Sequence, residues 1–274
     1  MPVNKDKIMI GVVGCAGRMG STLLHEILKN KNTDISGGTE IKGHAHIGKD
    51  LSNILKIDET GKYLTDNPED LFKISDAIID FTRPEATIKH AKIAAEFKTV
   101  HVIGTTGLSL DDEKIITQAA DQAIIIKSSN MSLGVNILDS MVKKISKILD
   151  RDFAIEISET HHNKKVDAPS GTAIMLGKSV AKSKNIDFDH SLEFFKKGES
   201  GKRADGNIGF TVKRKGNVVG EHLVNFESES EKIELFHQAK SRSIFAKGAV
   251  YAAIWGQTQK PGFYTMQDVL NLPN

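Results

Sequence analysis

Residues 8–20 read IMIGVVGCAGRMG, and this stretch decides the fold of the first part of the chain. Ile8–Val13 is a short, continuous apolar run, which is typical of a strand buried on both faces of a parallel sheet. Beyond it, apolar residues recur at helical spacing: Met19, Leu23, Leu24, Ile27 and Leu28. The glycines between these segments are therefore expected where a strand turns into a helix.

Such a turn is a potential binding site for a dinucleotide. A helix N-terminus offers unpaired N–H groups and a partial positive charge to a pyrophosphate, and glycine lets the backbone approach it. The candidate loop residues are Gly14, Cys15, Ala16, Gly17, Arg18, Met19 and Gly20. Glu40 follows at the distance expected of a carboxylate that binds a ribose hydroxyl. The alternative is a glycine-rich turn without a ligand. Cys15 is interpreted as a small loop residue rather than a nucleophile.

Strands and helices continue to alternate after this unit. The predicted strands are Ala77–Phe81, Val100–Ile103 and Ala123–Ile126, and the predicted helices are Pro84–Phe97 and Leu110–Ala120. This alternation predicts an α/β, Rossmann-like, doubly wound parallel sheet. Ligands of such sheets bind at the carboxyl ends of the strands. That edge carries three segments besides the glycine loop: Phe81–Pro84, Gly104-Thr105-Thr106 and Ser128-Ser129-Asn130-Met131.

The middle of the chain changes its period. Ser132–Arg151 has the apolar spacing of an amphipathic helix, whereas Phe153–Glu159 alternates like a strand with one buried face. Ala173–Lys184 and Ser243–Gln257 are predicted helices, and 209–241 is predicted to form several strands. A run of strands after a βα region indicates a second, α+β domain with an open sheet that is mixed or mostly antiparallel.

The segment ETHHNKKVDAPSGTA, residues 159–173, concentrates protonatable and cationic groups before a helix start. The Ser170-Gly171-Thr172 turn would form a second anion-binding site, and Lys165 adds a positive charge. Histidine, with a pKa of about 6.5, exchanges protons near neutral pH. Together these features indicate a ligand with carboxylates or phosphates. Two alternative interpretations of His161 and His162 remain: they could be metal ligands, or they could belong to a solvated polar loop without a ligand.

The composition excludes several classes of protein. Its apolar fraction of 39% and charged fraction of 26% are typical of a soluble globular protein. A net charge of +2 over 274 residues gives no electrostatic support for binding nucleic acid. No apolar run approaches the roughly 20 residues of a membrane-spanning helix. The single cysteine and an N-terminus unlike a secretory signal favour a cytoplasmic protein.

Taken together, these motifs resemble one family, 4-hydroxy-tetrahydrodipicolinate (dihydrodipicolinate) reductase of the diaminopimelate–lysine pathway. The resemblance spans nearly the whole chain, and the histidine–lysine–PSGT motif is specific to that family. The matching segments are GCAGRMG (14–20), DFTRPEAT (80–87), VIGTTG (102–107), SSNMSLGVN (128–136), ETHHNKKVDAPSGTA (159–173), VVGEHLV, SRSIFAKGAVYAAIW and MQDVL.

The resemblance implies an NADH- or NADPH-dependent reduction of a cyclic imine dicarboxylate to tetrahydrodipicolinate. It implies a catalytic pair, His161 and Lys165. We expect no metal at this site, because no cysteine or third ligand stands at the usual spacing from the histidines. The implied substrate contacts are His162, Lys165, Ser170, Gly171 and Thr172, and the implied cofactor contacts are Gly14–Met19, Glu40, Gly104–Thr106 and Ser128–Met131. It also implies a homotetramer assembled through the sheets of the second domain.

The resemblance further implies a dinucleotide-binding domain of residues 1–131 and 242–274, and a substrate-binding and oligomerisation domain of residues 132–241. Closure of a cleft would then require hinges near Met131–Gly134 and Lys240–Ser243.

One departure from the family pattern concerns cofactor choice. Ile41 follows Glu40 where some members of the family carry arginine, and Lys42 is the nearest cation. Because a glutamate favours a free ribose hydroxyl, we expect use of NADH at least equal to NADPH. Two rival functions stay open at this point. One is another two-domain NAD(P)-dependent dehydrogenase of aspartate-family metabolism, and the other is a nucleotide sensor without turnover.

Overall fold

The structure is a computed structural model that describes residues 7–150, 152–194 and 207–272. It divides into two compact units. The first comprises Met1–Ser132 and Ser243–Asn271, and the second comprises Leu133–Arg242 and Leu272–Asn274.

The described strands are β1 Ile8–Val13, β2 Thr33–Thr39, β3 Leu64–Thr65, β4 Ala77–Asp80, β5 Val100–Ile103, β6 Ile124–Lys127, β7 Ala154–His161, β8 Leu192–Phe194, β9 Ile208–Arg214, β10 Gly220–Glu227, β11 Lys232–Ala239 and β12 Gly262–Tyr264. The described helices are α1 Arg18–Lys29, α2 Ser52–Leu55, α3 Pro68–Ile74, α4 Pro84–Phe97, α5 Leu110–Ala119, α6 Leu133–Ile148, α7 Gly171–Lys184, α8 Ser243–Gly256 and α9 Met266–Val269. None of these helices is both long and apolar enough to cross a membrane.

The first unit is built on a parallel sheet of seven strands in the order β12-β6-β5-β4-β1-β2-β3. Its central strand β1 is apolar on both faces, and Ile10 and Val12 are fully buried. The strand order reverses between β1 and β4, and ligands of open α/β sheets bind at such a switch point. The predicted Rossmann-like sheet is confirmed.

The second unit contains a mixed sheet of five described strands in the order β11-β10-β7-β9-β8. β10 is antiparallel to both β11 and β7, whereas β7, β9 and β8 are parallel. One face of this sheet packs against α6 and α7 through a core that includes Ile157, Phe210 and Val224. The predicted second α+β domain with an open sheet is therefore also confirmed.

Two elements differ from their sequence-based bounds in ways that affect the site. β7 continues past Glu159 to His161, because Thr160 and His161 pair with Lys213 and Arg214 of β9. Helix α7 begins at Gly171, two residues before the predicted start, because the Ser170 side chain caps it by accepting from the N–H of Ala173 at 3.2 Å. His161 is thus the last residue of strand β7 rather than part of the loop that follows it.

Candidate active site

The glycine loop leaves the N-terminus of α1 open. Gly14 has a φ of +66°, which favours glycine, and Gly17 occupies the N-cap position without a side-chain cap. A side chain at Gly20 would collide with the Gly14 carbonyl oxygen and the Cys15 Cα. The first turn of α1 contains no acidic residue. This loop therefore offers uncapped backbone donors in the way a pyrophosphate requires.

Glu40 lies directly against this loop. Its Oε1 accepts a hydrogen bond from the Ala16 N–H at 2.9 Å, and its Oε2 accepts from the Ile41 N–H at 3.3 Å. Arg18 and Lys42 are exposed, and the side chain of Ile41 is 78% exposed. The carboxylate that is predicted to bind ribose thus accepts a hydrogen bond from the predicted phosphate loop, and Arg18 and Lys42 place two exposed cations nearby in the sequence.

Cys15 is fully buried and packs against Gly38 of β2. Burial, assisted by the charge of Glu40, raises the pKa of the Cys15 thiol to about 12. Because the thiolate is the nucleophilic form, this thiol is chemically inert near neutral pH. The structure favours its interpretation as a small residue of the loop.

Two further loops follow the carboxyl ends of β5 and β6. Gly104 lies under the ring of Phe81, where no side chain would fit, and Thr105 is buried beside it while Thr106 is exposed. After β6, the Ser128 hydroxyl donates to the Asn130 carbonyl at 2.9 Å, Ser129 is exposed and Met131 is buried. The predicted cofactor residues of the first unit lie at this carboxyl edge, in the loops that follow the strands or, for Arg18 and Met19, in the first turn of α1.

In the second unit, the buried carboxylate of Glu159 organises the histidine segment. Its Oε2 accepts from the Ser170 N–H at 3.1 Å and lies 3.4 Å from the Nδ1 of His161. Its Oε1 accepts from the Arg214 guanidinium at 3.3 Å. The side chain of Glu159 is only 1% exposed. One carboxylate therefore links the first histidine to the start of α7.

The predicted acid–base pair lies in this environment. Burial lowers the pKa of His161, Glu159 opposes that shift, and Lys165 and Arg214 add to it. Lys165 forms an ion pair with Asp167 at 2.7 Å instead of standing free. Arg214 further donates to the backbone carbonyls of Lys165 and Asp167. Burial and the neighbouring cations thus favour a neutral His161, and Asp167 restrains the lysine beside it.

The predicted substrate contacts lie at the start of α7 and in the connection that precedes it. Ser170 is buried, Gly171 is exposed and Thr172 is half-buried, whereas His162 is half-buried at the end of β7. The Ser170 hydroxyl lies 3.2 Å from the Nε2 of His222. His162 and Lys165 belong to the same short connection, since the Lys165 N–H donates to the His162 carbonyl at 3.1 Å.

His222 of β10 completes the cluster. It pairs in register with Glu159, and its ring lies edge-on to that of His161 with centroids 5.2 Å apart. Burial, and then the neighbouring His161, lowers the pKa of His222 to about 3. The lack of a side chain at Gly220 leaves space for the His161 ring, because a Cβ at this position would lie 3.0 Å from the Nε2 of His161.

Glu159, His161 and His222 have ligand atoms within 4.8 Å of one another, a spacing that could hold a metal ion. Both Glu159 oxygens, however, already accept hydrogen bonds, from Ser170 and Arg214. The guanidinium beside the carboxylate also opposes a second cation. This donor set favours proton transfer, and the absence of a metal from the reaction stays a prediction.

Sequence reasoning missed four contributors to this site: Glu159 in its organising position, Asp167, Arg214 and His222. The strand alternation contained a usable signal for one of them. Residues two apart share a face of a strand, so Glu159 and His161 must point the same way. Arg214 and His222 could not be found, because strand pairing across distant sequence brings them in.

The fold and these sites define a class of protein, an NAD(P)H-dependent oxidoreductase with a Rossmann-like unit and a second α+β unit. Residues 8–131 match the family described as dihydrodipicolinate reductase, N-terminus, and residues 134–270 match dihydrodipicolinate reductase, C-terminus. The chain belongs to the dihydrodipicolinate reductase family.

Similar proteins agree with this assignment. The 4-hydroxy-tetrahydrodipicolinate reductase of Rhizobium meliloti (strain 1021) is 45% identical over 98% of this chain and 100% of its own. The enzyme of the same name from Cereibacter sphaeroides (strain KD131) is 44% identical over 96% and 98%. A solved structure, dipicolinate-bound dihydrodipicolinate reductase from Paenisporosarcina sp. TG-14, shares the fold with a TM-score of 0.76 at 20% identity, covering 96% of this chain and 98% of that one. The predicted family, reductase function and nicotinamide cofactor are confirmed.

Proposed function

We propose that this chain reduces 4-hydroxy-tetrahydrodipicolinate to tetrahydrodipicolinate in diaminopimelate and lysine biosynthesis, with His161 and Lys165 as its catalytic pair. The observation that carries the residue-level proposal is the buried Glu159, which joins His161, Arg214 and the start of α7. A buried histidine–carboxylate pair beside an anion-binding helix start suits a reaction that protonates a dicarboxylate.

The chemistry requires an acid. Loss of water from the substrate gives a conjugated cyclic imine, and addition of a hydride to its ring leaves an electron pair that ends on the ring nitrogen. A bound dihydronicotinamide supplies the hydride. A proton must reach the nitrogen as the hydride adds, and a positioned acid typically contributes about 10²–10⁴-fold to such a step.

His161 is the proposed acid, and the bound substrate is expected to prepare it. Burial and the cations Lys165 and Arg214 lower the pKa of the His161 imidazole. Two substrate carboxylates would neutralise those cations and favour the imidazolium, because an anion nearby raises the pKa of histidine. The histidine would therefore take up its proton on substrate binding and deliver it during reduction.

Lys165 and the Ser170-Gly171-Thr172 turn are proposed to hold the substrate carboxylates, with His162 beside them. The turn opens a helix of 14 residues, so its N–H groups and partial positive charge suit an anion. Lys165 can bind a substrate carboxylate because its ion-pair partner, Asp167, has a side chain that is 56% exposed. A substrate carboxylate can therefore replace Asp167 as the partner of Lys165. Orientation of the ring in this way can supply several kcal/mol of the rate acceleration.

The cofactor is proposed to place its pyrophosphate on Gly14–Met19 and a ribose hydroxyl on Glu40, with Gly104–Thr106 and Ser128–Met131 as further contacts. Binding would replace the Ala16 N–H as the partner of Glu40. Because a carboxylate repels a 2′-phosphate, we expect kcat/KM for NADH to equal or exceed that for NADPH. A ratio favouring NADPH by more than about tenfold, or roughly 1.4 kcal/mol, would contradict this preference.

We further propose that residues 1–131 and 242–274 bind the dinucleotide, that residues 132–241 bind substrate and form a homotetramer, and that the protein is cytoplasmic. The sheet face opposite α6 and α7 supports the oligomer. There Phe236 of β11 pairs with Leu223 of β10, and Phe236 is 60% exposed. Exposed apolar side chains on an open sheet face are typical of an interaction surface.

The test of the catalytic pair follows NADH oxidation with the fresh condensation product of pyruvate and aspartate semialdehyde. His161→Gln should lower kcat by about 10²-fold or more while the Kd for NADH stays unchanged. Lys165→Ala should raise KM and lower kcat, because its charge serves both binding and orientation. Lys164→Ala, an exposed neighbour, is the matched control. An unchanged kcat for His161→Gln would remove this histidine from the acid function.

A further inference from the structure

A buried polar cluster in the first unit has no function in the proposed mechanism. Asp80 ends β4, His90 lies on α4 and His101 lies on β5, and their side chains are 0%, 11% and 0% exposed. Carboxylates are almost never fully buried unless they are paired. The burial of three titratable groups together at the end of β4 is therefore a feature that calls for a functional explanation.

The two oxygens of Asp80 serve different partners. Oδ2 lies 2.8 Å from the Nδ1 of His90 and 3.3 Å from the Nε2 of His101. Oδ1 accepts from Thr82 twice, from its N–H at 2.9 Å and its hydroxyl at 2.6 Å, and from the Thr105 hydroxyl at 3.3 Å. The histidines thus hold one side of the carboxylate while the other side holds the loops after β4 and β5.

The hydrogen bonds continue between those loops. The Thr105 hydroxyl also accepts from the N–H of Thr82 at 3.1 Å and from the hydroxyl of Thr87 at 2.8 Å. The backbone adds a further link, because the Gly104 N–H donates to the Asp80 carbonyl at 2.8 Å. The loop that contains Gly104, Thr105 and Thr106 is therefore fixed to β4 by several bonds.

The cluster also reaches the glycine loop. A side chain at Gly14 would lie 2.9 Å from the Cγ2 of Thr82, so Thr82 packs directly against that loop. Asp80 accordingly fixes, through Thr82 and Thr105, segments that follow β1, β4 and β5. These segments are neighbours along the sheet edge proposed to bind the dinucleotide.

Charge makes these bonds strong. Burial alone would raise the pKa of Asp80, but the hydrogen bonds and charges of His101 and His90 hold that pKa well below its ordinary value. Hydrogen bonds to an ionised acceptor are shorter and stronger than neutral ones, and the low dielectric of a buried site strengthens them further. A cluster needed only for stability could be replaced by apolar packing at little cost.

We propose that Asp80, supported by His90 and His101, is a positioning residue for cofactor binding: it orients Thr82 and Thr105 and thereby sets the shape of the dinucleotide edge. This inference depends on the proposed binding of NADH at that edge. It assigns a function to the aspartate and the first threonine of the DFTRPEAT segment, and to two histidines outside the glycine motifs.

The experiment compares Thr82→Val with Thr82→Ser in the full-length protein. Valine keeps the size of threonine and removes the hydroxyl bonded to Asp80, whereas serine keeps that hydroxyl. Thr82→Val should raise the Kd and KM for NADH about tenfold, and Thr82→Ser should recover most of that loss. Thr99→Val is the matched control, because Thr99 is a buried threonine of the same unit whose hydroxyl bonds only the Phe72 carbonyl in the described structure, at 3.4 Å.

Two further measurements separate positioning from stability. Binding of dipicolinate alone should not change in Thr82→Val, and its melting temperature should fall no more than that of Thr99→Val. Asp80→Ala should raise the Kd for NADH more than Thr82→Val does. Equal NADH affinity in Thr82→Val, Thr82→Ser and the parent protein would overturn the inference, even if Asp80→Ala fails to fold. A parent protein that does not bind NADH would overturn the proposed function itself.

Discussion

At the residue scale, the buried carboxylate of Glu159 lies beside His161 and influences the pKa of its imidazole. Burial, Lys165 and Arg214 lower the pKa of His161, and Glu159 is the stronger of the two anions, with Asp167, that oppose this shift. It also anchors Ser170 and Arg214, so a single buried charge connects proton chemistry with the helix start. Such a residue acts through others, and its effect should be visible in the pH dependence of the reaction.

Glu159→Gln tests this function. Without this carboxylate the pKa of His161 should fall further, so the limb of kcat that is lost as pH rises should move to lower pH. Glu156→Gln removes a charge from the same strand, on the face that lacks His161, and should leave that limb in place. Identical kcat–pH profiles for Glu159→Gln and the parent protein would show that this carboxylate does not influence the acid.

At the scale of elements, the strand–loop–helix of residues 8–29 was predictable because all its signals are local. An apolar run, glycines and a helical stripe lie within one short segment. β2 was not predicted, since its sequence TDISGGT has one large apolar residue. Its burial comes from tertiary packing: Cys15 fills the space over Gly38, and Leu71 that over Gly37. The Asp80 cluster was missed for the same reason, as α4 and β5 bring its histidines to it.

Gly20→Ala tests the close contact between α1 and the glycine loop. The added methyl would collide with the Gly14 carbonyl and Cys15, so the loop must move away from the helix. We expect the Kd for NADH to rise about tenfold or more and the melting temperature to fall by several degrees. Thr22→Ala, on the exposed side of the same helix, should change neither by a comparable amount. Unaltered NADH affinity in Gly20→Ala would show that the loop tolerates the displacement.

At the scale of the whole molecule, the chain combines a parallel sheet with open binding loops and a mixed sheet with one covered face. The fold class followed from periodicity, and the family from motifs distributed over both units.

The homotetramer is a proposal that depends on the sheet face opposite α6 and α7. Phe236→Asp places a charge on that face and should convert a tetramer into smaller species by light scattering, whereas Gln118→Asp, exposed on α5 of the first unit, should leave the assembly intact. A parent protein that is monomeric at micromolar concentration would contradict the proposed assembly.

The proposed reaction transfers a hydride directly from the nicotinamide to a dicarboxylate held by His161, Lys165 and the Ser170–Thr172 turn. The test uses NADH with both hydrogens at the nicotinamide C4 replaced by deuterium, and the product is analysed by mass spectrometry. We predict that tetrahydrodipicolinate carries deuterium from the cofactor, and that Lys165→Ala forms it more slowly without losing the label. Oxidation of NADH without deuterium in the product, or no reaction at all, would contradict the account.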